Sequence, residues 1–134
     1  MRVVIDTNVI VSGLLNPNGK PAVVINLLLL KKIKVLYDNR ILKEYETVLC
    51  RDKFGFSREI VIPLIDFIKA EGEFVITEPI KTTIPDESDK KFLEVAISGK
   101  ADYLITGNIR DYPAIEFIVT PGEFLKKRDE HEKI

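Results

Sequence analysis

The stretch Arg2-Val3-Val4-Ile5-Asp6-Thr7-Asn8-Val9-Ile10-Val11-Ser12 governs how the rest of the chain is read. Three apolar residues, Val3 to Ile5, stop abruptly at Asp6-Thr7-Asn8, and apolar residues resume at Val9. The pattern predicts a buried strand that carries a carboxylate at its carboxyl end and turns at once into a helix. In open α/β sheets that edge is where ligands bind. A solvent-facing acid would be out of place directly after a buried strand, so Asp6 is the first candidate functional residue.

The same alternation continues outward from this stretch. Strands are predicted at Val35–Tyr37, Glu73–Ile76, Tyr103–Ile105 and Glu116–Val119, with helices between them. The first helix runs from Thr7 or Asn8 to about Leu15. Asn16-Pro17-Asn18-Gly19 is a turn, and Pro21 suits the first turn of a helix reaching about Lys32. That helix is apolar almost all round, which suits a core position or a homodimer face. Asp38 or Asn39 can cap a helix over Arg40–Cys50, and Ser57 one that reaches Ala70 or Glu71, with a kink at Pro63. Asp86 can cap a helix ending at Gly99, with Asp89 in its first turn. Thr120-Pro121 opens a last short helix. The whole predicts a mostly parallel sheet of about five strands, covered by helices on both faces. One domain spans residues 1–126, followed by a charged tail, 127–134.

Composition narrows the chemistry. Apolar residues make up 46% of the 134-residue chain and charged residues 31%, which suits one soluble globular domain. The run from Ala22 to Leu30 is broken by Asn26 and falls far short of the roughly 20 residues a membrane span needs. No signal-peptide pattern opens the chain, so a cytoplasmic location is expected. A single cysteine, Cys50, excludes an internal disulfide and disfavours a cysteine zinc site. The single histidine, His131, lies in the charged tail, where a mechanism centred on histidine has no rigid pocket. Net charge is −1, which gives no overall signal for nucleic acid. Carboxylates, hydroxyls, lysines or metals are left to carry any reaction.

Several acids occupy equivalent places in the alternation. Asp6 ends the first strand. Glu44 lies one turn into the helix after the second. Asp86 and Asp89 open the helix after the third, and Asn108 and Asp111 follow the fourth. All approach the carboxyl edge of one parallel sheet. Gathering so many carboxylates is electrostatically costly unless cations neutralise them, and hard oxygen ligands suit Mg²⁺ or Mn²⁺. Each acid also has an ordinary reading. Asp86 is a helix cap, Glu44 a solvated helix acid, Asp89 a dipole partner and Asp111 a turn residue. By spacing alone only Asp6 stands out.

Taken together, five stretches resemble the PIN-domain family, in particular its toxin components of toxin–antitoxin systems. They are Val4-Ile5-Asp6-Thr7-Asn8-Val9 with Ser12; Ile41-Leu42-Lys43-Glu44-Tyr45 with Val48-Leu49; Asp86-Glu87-Ser88-Asp89-Lys90-Lys91-Phe92-Leu93-Glu94-Val95-Ala96; Gly99-Lys100-Ala101-Asp102-Tyr103-Leu104-Ile105-Thr106-Gly107-Asn108; and Val119-Thr120-Pro121-Gly122-Glu123-Phe124-Leu125. The resemblance implies a three-layer, Rossmann-like α/β/α sandwich and a ribonuclease that uses Mg²⁺ or Mn²⁺. Carried over by position, the catalytic, metal-binding acids are Asp6, Glu44 and Asp89, with Asp111 the fourth. Many relatives have an aspartate where this chain has the uncharged Asn108, so the fourth place falls to Asp111 or is filled through water. Thr7, Asn8, Ser12 and Asn108 support the acids by hydrogen bonding. The resemblance also implies an RNA substrate, a homodimer and an inhibitory antitoxin protein.

Arg40, Lys43, Lys90 and Arg110 are the cations expected to hold phosphates. Rival α/β enzymes fit less well. A phosphatase of the haloacid-dehalogenase type wants a second acid two residues after the first, where this chain has Asn8. A receiver domain wants paired acids there, and no Gly-rich phosphate loop or dinucleotide fingerprint occurs. The alternative from another class is a non-catalytic RNA- or protein-binding module of the same fold.

Overall fold

The computed structural model describes residues 1–132. Five strands form one sheet: β1 (Arg2–Ile5), β2 (Lys34–Tyr37), β3 (Glu73–Phe74), β4 (Tyr103–Ile105) and β5 (Ile118–Val119). Their order is β3-β2-β1-β4-β5 and every pairing is parallel. The order reverses between β1 and β4, which is the topological switch point of such a sheet. Six helices complete the chain: α1 (Thr7–Leu15), α2 (Lys20–Leu29), α3 (Asn39–Leu49), α4 (Arg58–Glu71), α5 (Lys90–Ser98) and α6 (Pro121–Glu132).

Both sheet faces are covered, as neighbouring residues of β2 demonstrate. Leu36 lies under Gly99 at the end of α5, whereas the Tyr37 hydroxyl donates to the Lys69 carbonyl of α4 at 3.1 Å. Successive strand side chains point to opposite faces, so α4 and α5 sit on opposite sides. The result is a three-layer α/β/α sandwich. Val3, Val4, Ile5, Val35, Leu36, Leu104 and Ile105 are fully buried. Continuous apolar strands of this kind are what a sheet buried on both faces requires. No described helix is long and apolar enough to cross a membrane.

Element ends differ from the sequence reading in instructive ways. β3 stops at Phe74, not Ile76, because its neighbour β2 ends at Tyr37 and Asp38 turns away to cap α3; Ile76 is left 86% exposed. β5 starts at Ile118, because the Ile118 N–H turns back to the Ile115 carbonyl at 3.0 Å. Asp86 caps a 3-10 turn over Glu87–Asp89 rather than the helix itself, so Asp89 becomes the residue just before α5. α4 runs unbroken through Pro63, which lies on its exposed side. α2 buries Ala22, Val24, Ile25 and Leu28 but exposes Val23 and Leu29. The charged segment from 127 continues α6 as far as Glu132; residues 133–134 lie outside the described residues.

Gly72 joins α4 to β3 at a close approach of two backbones. A Cβ there would sit 2.5 Å from the Ile68 carbonyl and 2.6 Å from that of Val35. Neither oxygen can yield without moving an element. Gly72→Ala should therefore destabilise the fold by about 1–3 kcal/mol in thermal or urea unfolding. Gly122→Ala, where a Cβ meets only the flexible Lys20 side chain at 3.3 Å, should be nearly neutral.

Candidate metal and catalytic site

Asp6 sits where the sheet order reverses. Ile5 of β1 pairs with Ile105 of β4, so the residues that follow them, Asp6 and Thr106, lie side by side. The Asp6 N–H donates to the Ile105 carbonyl at 2.9 Å. Its carboxylate is 4% exposed, and one oxygen, Oδ2, accepts from the Thr106 hydroxyl at 3.0 Å and the Tyr112 hydroxyl at 2.8 Å. Burial pushes the Asp6 carboxyl above its ordinary range; the two hydroxyls oppose that push, and nearby Glu44 adds to it. Burial and then the Asp6 charge raise the Tyr112 phenol far above its usual value, so it remains a donor.

Glu44 reaches the same region from the second turn of α3. Asp38 caps that helix, its side chain accepting from the Ile41 N–H at 3.0 Å. Ile41, Leu42, Tyr45 and Leu49 bury the opposite stripe, and Glu44 is left half-buried at its edge. Thr7 of α1 donates its hydroxyl to Glu44 Oε2, while Lys91 Nζ lies 2.7 Å from Oε1. Lys91 also donates to the Ser88 carbonyl and is largely buried.

Asp89 lies within electrostatic reach of Asp6, Glu44 and Asp111. Asp89 is pushed up to about 7, first by burial and then by the charges of Asp6, Asp86, Asp111 and Glu44. These acids therefore act on one another electrostatically. Asp86 itself is exposed and turned to its own loop, accepting from the Ser88 N–H and hydroxyl, which hold it below the usual carboxylate range. Asn108 donates its side-chain amide to Asp111 Oδ2 at 2.7 Å, so it orients that acid instead of replacing it. Asn8 accepts from the Gly107 N–H at 3.0 Å and ties α1 to the same loop. Ser12 is exposed on α1, and its side chain makes no hydrogen bond among the described residues; it is not joined to the acids.

Asp6, Glu44, Asp89 and Asp111 thus form an all-oxygen, charge-coupled group, and such donors suit a hard divalent cation. Among the described residues no three of them are drawn together as a formed metal cage. The fit is one of chemistry and charge: burial first, and then its acidic neighbours, raise the Asp89 carboxyl, and a bound cation would relieve that repulsion. Beside Glu44 opens a cleft of about 720 Å³ lined by Arg40, Lys43, Arg51, Lys90 and Lys91 among others. Arg40 is bound at 2.8 Å to both Asp38 and Glu94, which makes it a tie between α3 and α5 more than a free phosphate ligand. Arg110 is exposed on the 3-10 turn Ile109–Asp111 and does not line this cleft.

Sequence reasoning missed Thr106, Tyr112 and Lys91. Thr106 had a readable signal, since it follows β4 as Asp6 follows β1. Tyr112 and Lys91 had none, because a loop path and a side-chain direction bring them in.

The sign of the Asp89 shift sets a pH dependence. An acid raised in the folded state contributes stability that is complete below its unfolded value, near 3.8, and is lost as pH rises through about 7. In chelator, Asp89→Asn should therefore raise the melting temperature at pH 8, and the gain should fade towards about pH 4. A gain independent of pH would contradict the placement of Asp89 among charged neighbours.

Comparison with known proteins agrees with this architecture. A family model described as PIN domain matches residues 2–110. The chain is also 36% identical, over 140 aligned positions, to the uncharacterized protein MJ1680 of Methanocaldococcus jannaschii, with all of this chain and 85% of the relative covered. PIN domains are in general nucleases that use divalent metal ions. The matched residues contain the whole first strand, Glu44, Asp89 and the loop to Arg110, and the chain belongs to the PIN-domain family.

Proposed function

We propose that this protein is a metal-dependent endoribonuclease and the toxin of a toxin–antitoxin pair. The observation that carries the nuclease reading is the buried Asp6 at the switch-point edge of a PIN-domain sheet, with Glu44 tied to the adjoining Thr7. Asp6, Glu44 and Asp89 would hold Mg²⁺ or Mn²⁺, with Asp111 the fourth, less direct participant. When bound, the ion would supply activation of a water and polarisation of a phosphoryl oxygen. Water adds to phosphorus as the bond to the leaving ribose oxygen breaks.

The chain's own residues prepare that reaction. Thr106 and Tyr112 fix one oxygen of Asp6. Thr7 orients Glu44, and Asn108 orients Asp111. Lys43 and Lys90, in the cleft beside Glu44, hold phosphates of the strand. The homodimer and the antitoxin partner rest on the family resemblance, and a cytoplasmic location goes with that reading. Exposed Leu15, Val23, Leu29 and Leu30 on and just after α1 and α2 support the homodimer.

One observation favours the non-catalytic binding module. The Lys91 ammonium already neutralises Glu44, and Asn108 brings no charge. Single-stranded RNA incubated with Mg²⁺, with Mn²⁺ and with chelator separates the two. Cleavage should require the ion and fall at least about 100-fold in Asp6→Asn. Cleavage that survives equally in chelator or in the variant would refute the metal mechanism.

A further inference from the structure

The cleft beside Glu44 does not end at the acids. Lys43, Glu44, Thr47 and Arg51 line it at helical spacing along α3 and just past its end. Arg51 follows Glu44 by seven positions, of which α3 spans the first five, about 7.5 Å at 1.5 Å per residue. Arg51 then leads directly into the 3-10 turn Asp52–Phe54, and Gly55 reverses the chain in a left-handed conformation, φ 66°. Across that reversal the rings of Phe54 and Phe56 lie parallel, 5.8 Å between centroids and 19° between planes. Phe56 packs on the core, whereas Phe54 lies outside it. The Lys53 ammonium sits 5.0 Å from the centre of the Phe54 ring.

Two parallel aromatic rings follow within five residues of Arg51, which lines the cleft, and they are more than a loop needs for closure. The core anchors Phe56, and Phe56 backs Phe54. The second ring is half-buried and meets the long, flexible Lys53 side chain. We propose that Phe54, backed by Phe56 and flanked by Arg51 and Lys53, is a base-stacking subsite for single-stranded RNA lying in the cleft. Lys43 and Arg51 track the phosphates, and the base of a nucleotide flanking the scissile bond stacks on Phe54. Aromatic stacking tolerates any base, because every base has a π face, and it requires an unpaired one. The subsite thereby selects single-stranded RNA without reading its sequence. An acidic protein segment would suit the cations but has no use for a stacking ring. The identity of the strand rests on the ribonuclease reading above.

The test uses the full chain in chelator, so that binding is read without cleavage. The probes are a single-stranded RNA carrying 2-aminopurine and its abasic counterpart of the same length. The wild type should quench the 2-aminopurine and prefer the base-bearing strand by about tenfold. Phe54→Leu, which keeps apolar bulk, should lose both the quench and the preference while leaving abasic binding unchanged. Equal binding of the two strands by the wild type overturns the subsite, and needs no variant to fold. So does a Phe54→Leu protein, folded by circular dichroism, that still discriminates. An acidic peptide that displaces the RNA at lower concentration than abasic strand does would also overturn it, in favour of a protein partner. Cleavage in Mg²⁺ is scored separately. A protein that stacks RNA without cutting it loses the ribonuclease reading and keeps the subsite; one that cuts RNA without preferring bases loses the subsite alone.

Discussion

Everything at the working edge depends on burying one carboxylate. Asp6 is 4% exposed at the end of a fully buried strand, and a carboxylate in such surroundings is unfavourable unless donors meet it. Its donors come from Thr106 and Tyr112, a hundred residues and more along the chain. They reach Asp6 only because β1 and β4 are neighbours in register. The parallel pairing of Ile5 with Ile105 is therefore both a fold constraint and the condition for a stable, oriented acid. Among the described residues, no buried side-chain polar atom lacks a partner.

Around that acid, positive charge is distributed with two different purposes. Arg40 bridges Asp38 and Glu94, and Glu94 also accepts the Ile80 N–H at 2.9 Å. One buried carboxylate thus fastens α3, α5 and the long segment after β3, and it sets the spacing of the cleft walls. Lys91 instead faces the acids through Glu44. The site is an acidic edge partly balanced from within, with more cations along the cleft that leads away from it.

How much of this was legible in the sequence varies with the physics involved. Asp6 was readable because a strand end is local: three apolar residues and a polar break fix its position. The sheet followed from alternation for the same reason. Strand lengths were not readable, because pairing ends when the neighbour turns away, as at Asp38. Asp89 was found, but its place one residue before α5 depends on the 3-10 turn that Asp86 closes. Arg40 looked like a phosphate ligand because its charge is visible in sequence and its partners are not.

The sequence by itself determined the fold class, the parallel sheet and the acids at its carboxyl edge, since period and strand-end position are properties of neighbouring residues. Family membership was also legible there, because its motifs recur in order along the chain. Only the tertiary structure decided which groups act on those acids. Thr106 and Tyr112 on Asp6, Thr7 and Lys91 on Glu44, and Asn108 on Asp111 are contacts set by strand order, loop path and side-chain direction. So is the elevated Asp89 carboxyl, because burial and the summed charge of distant residues exist only once the chain has folded.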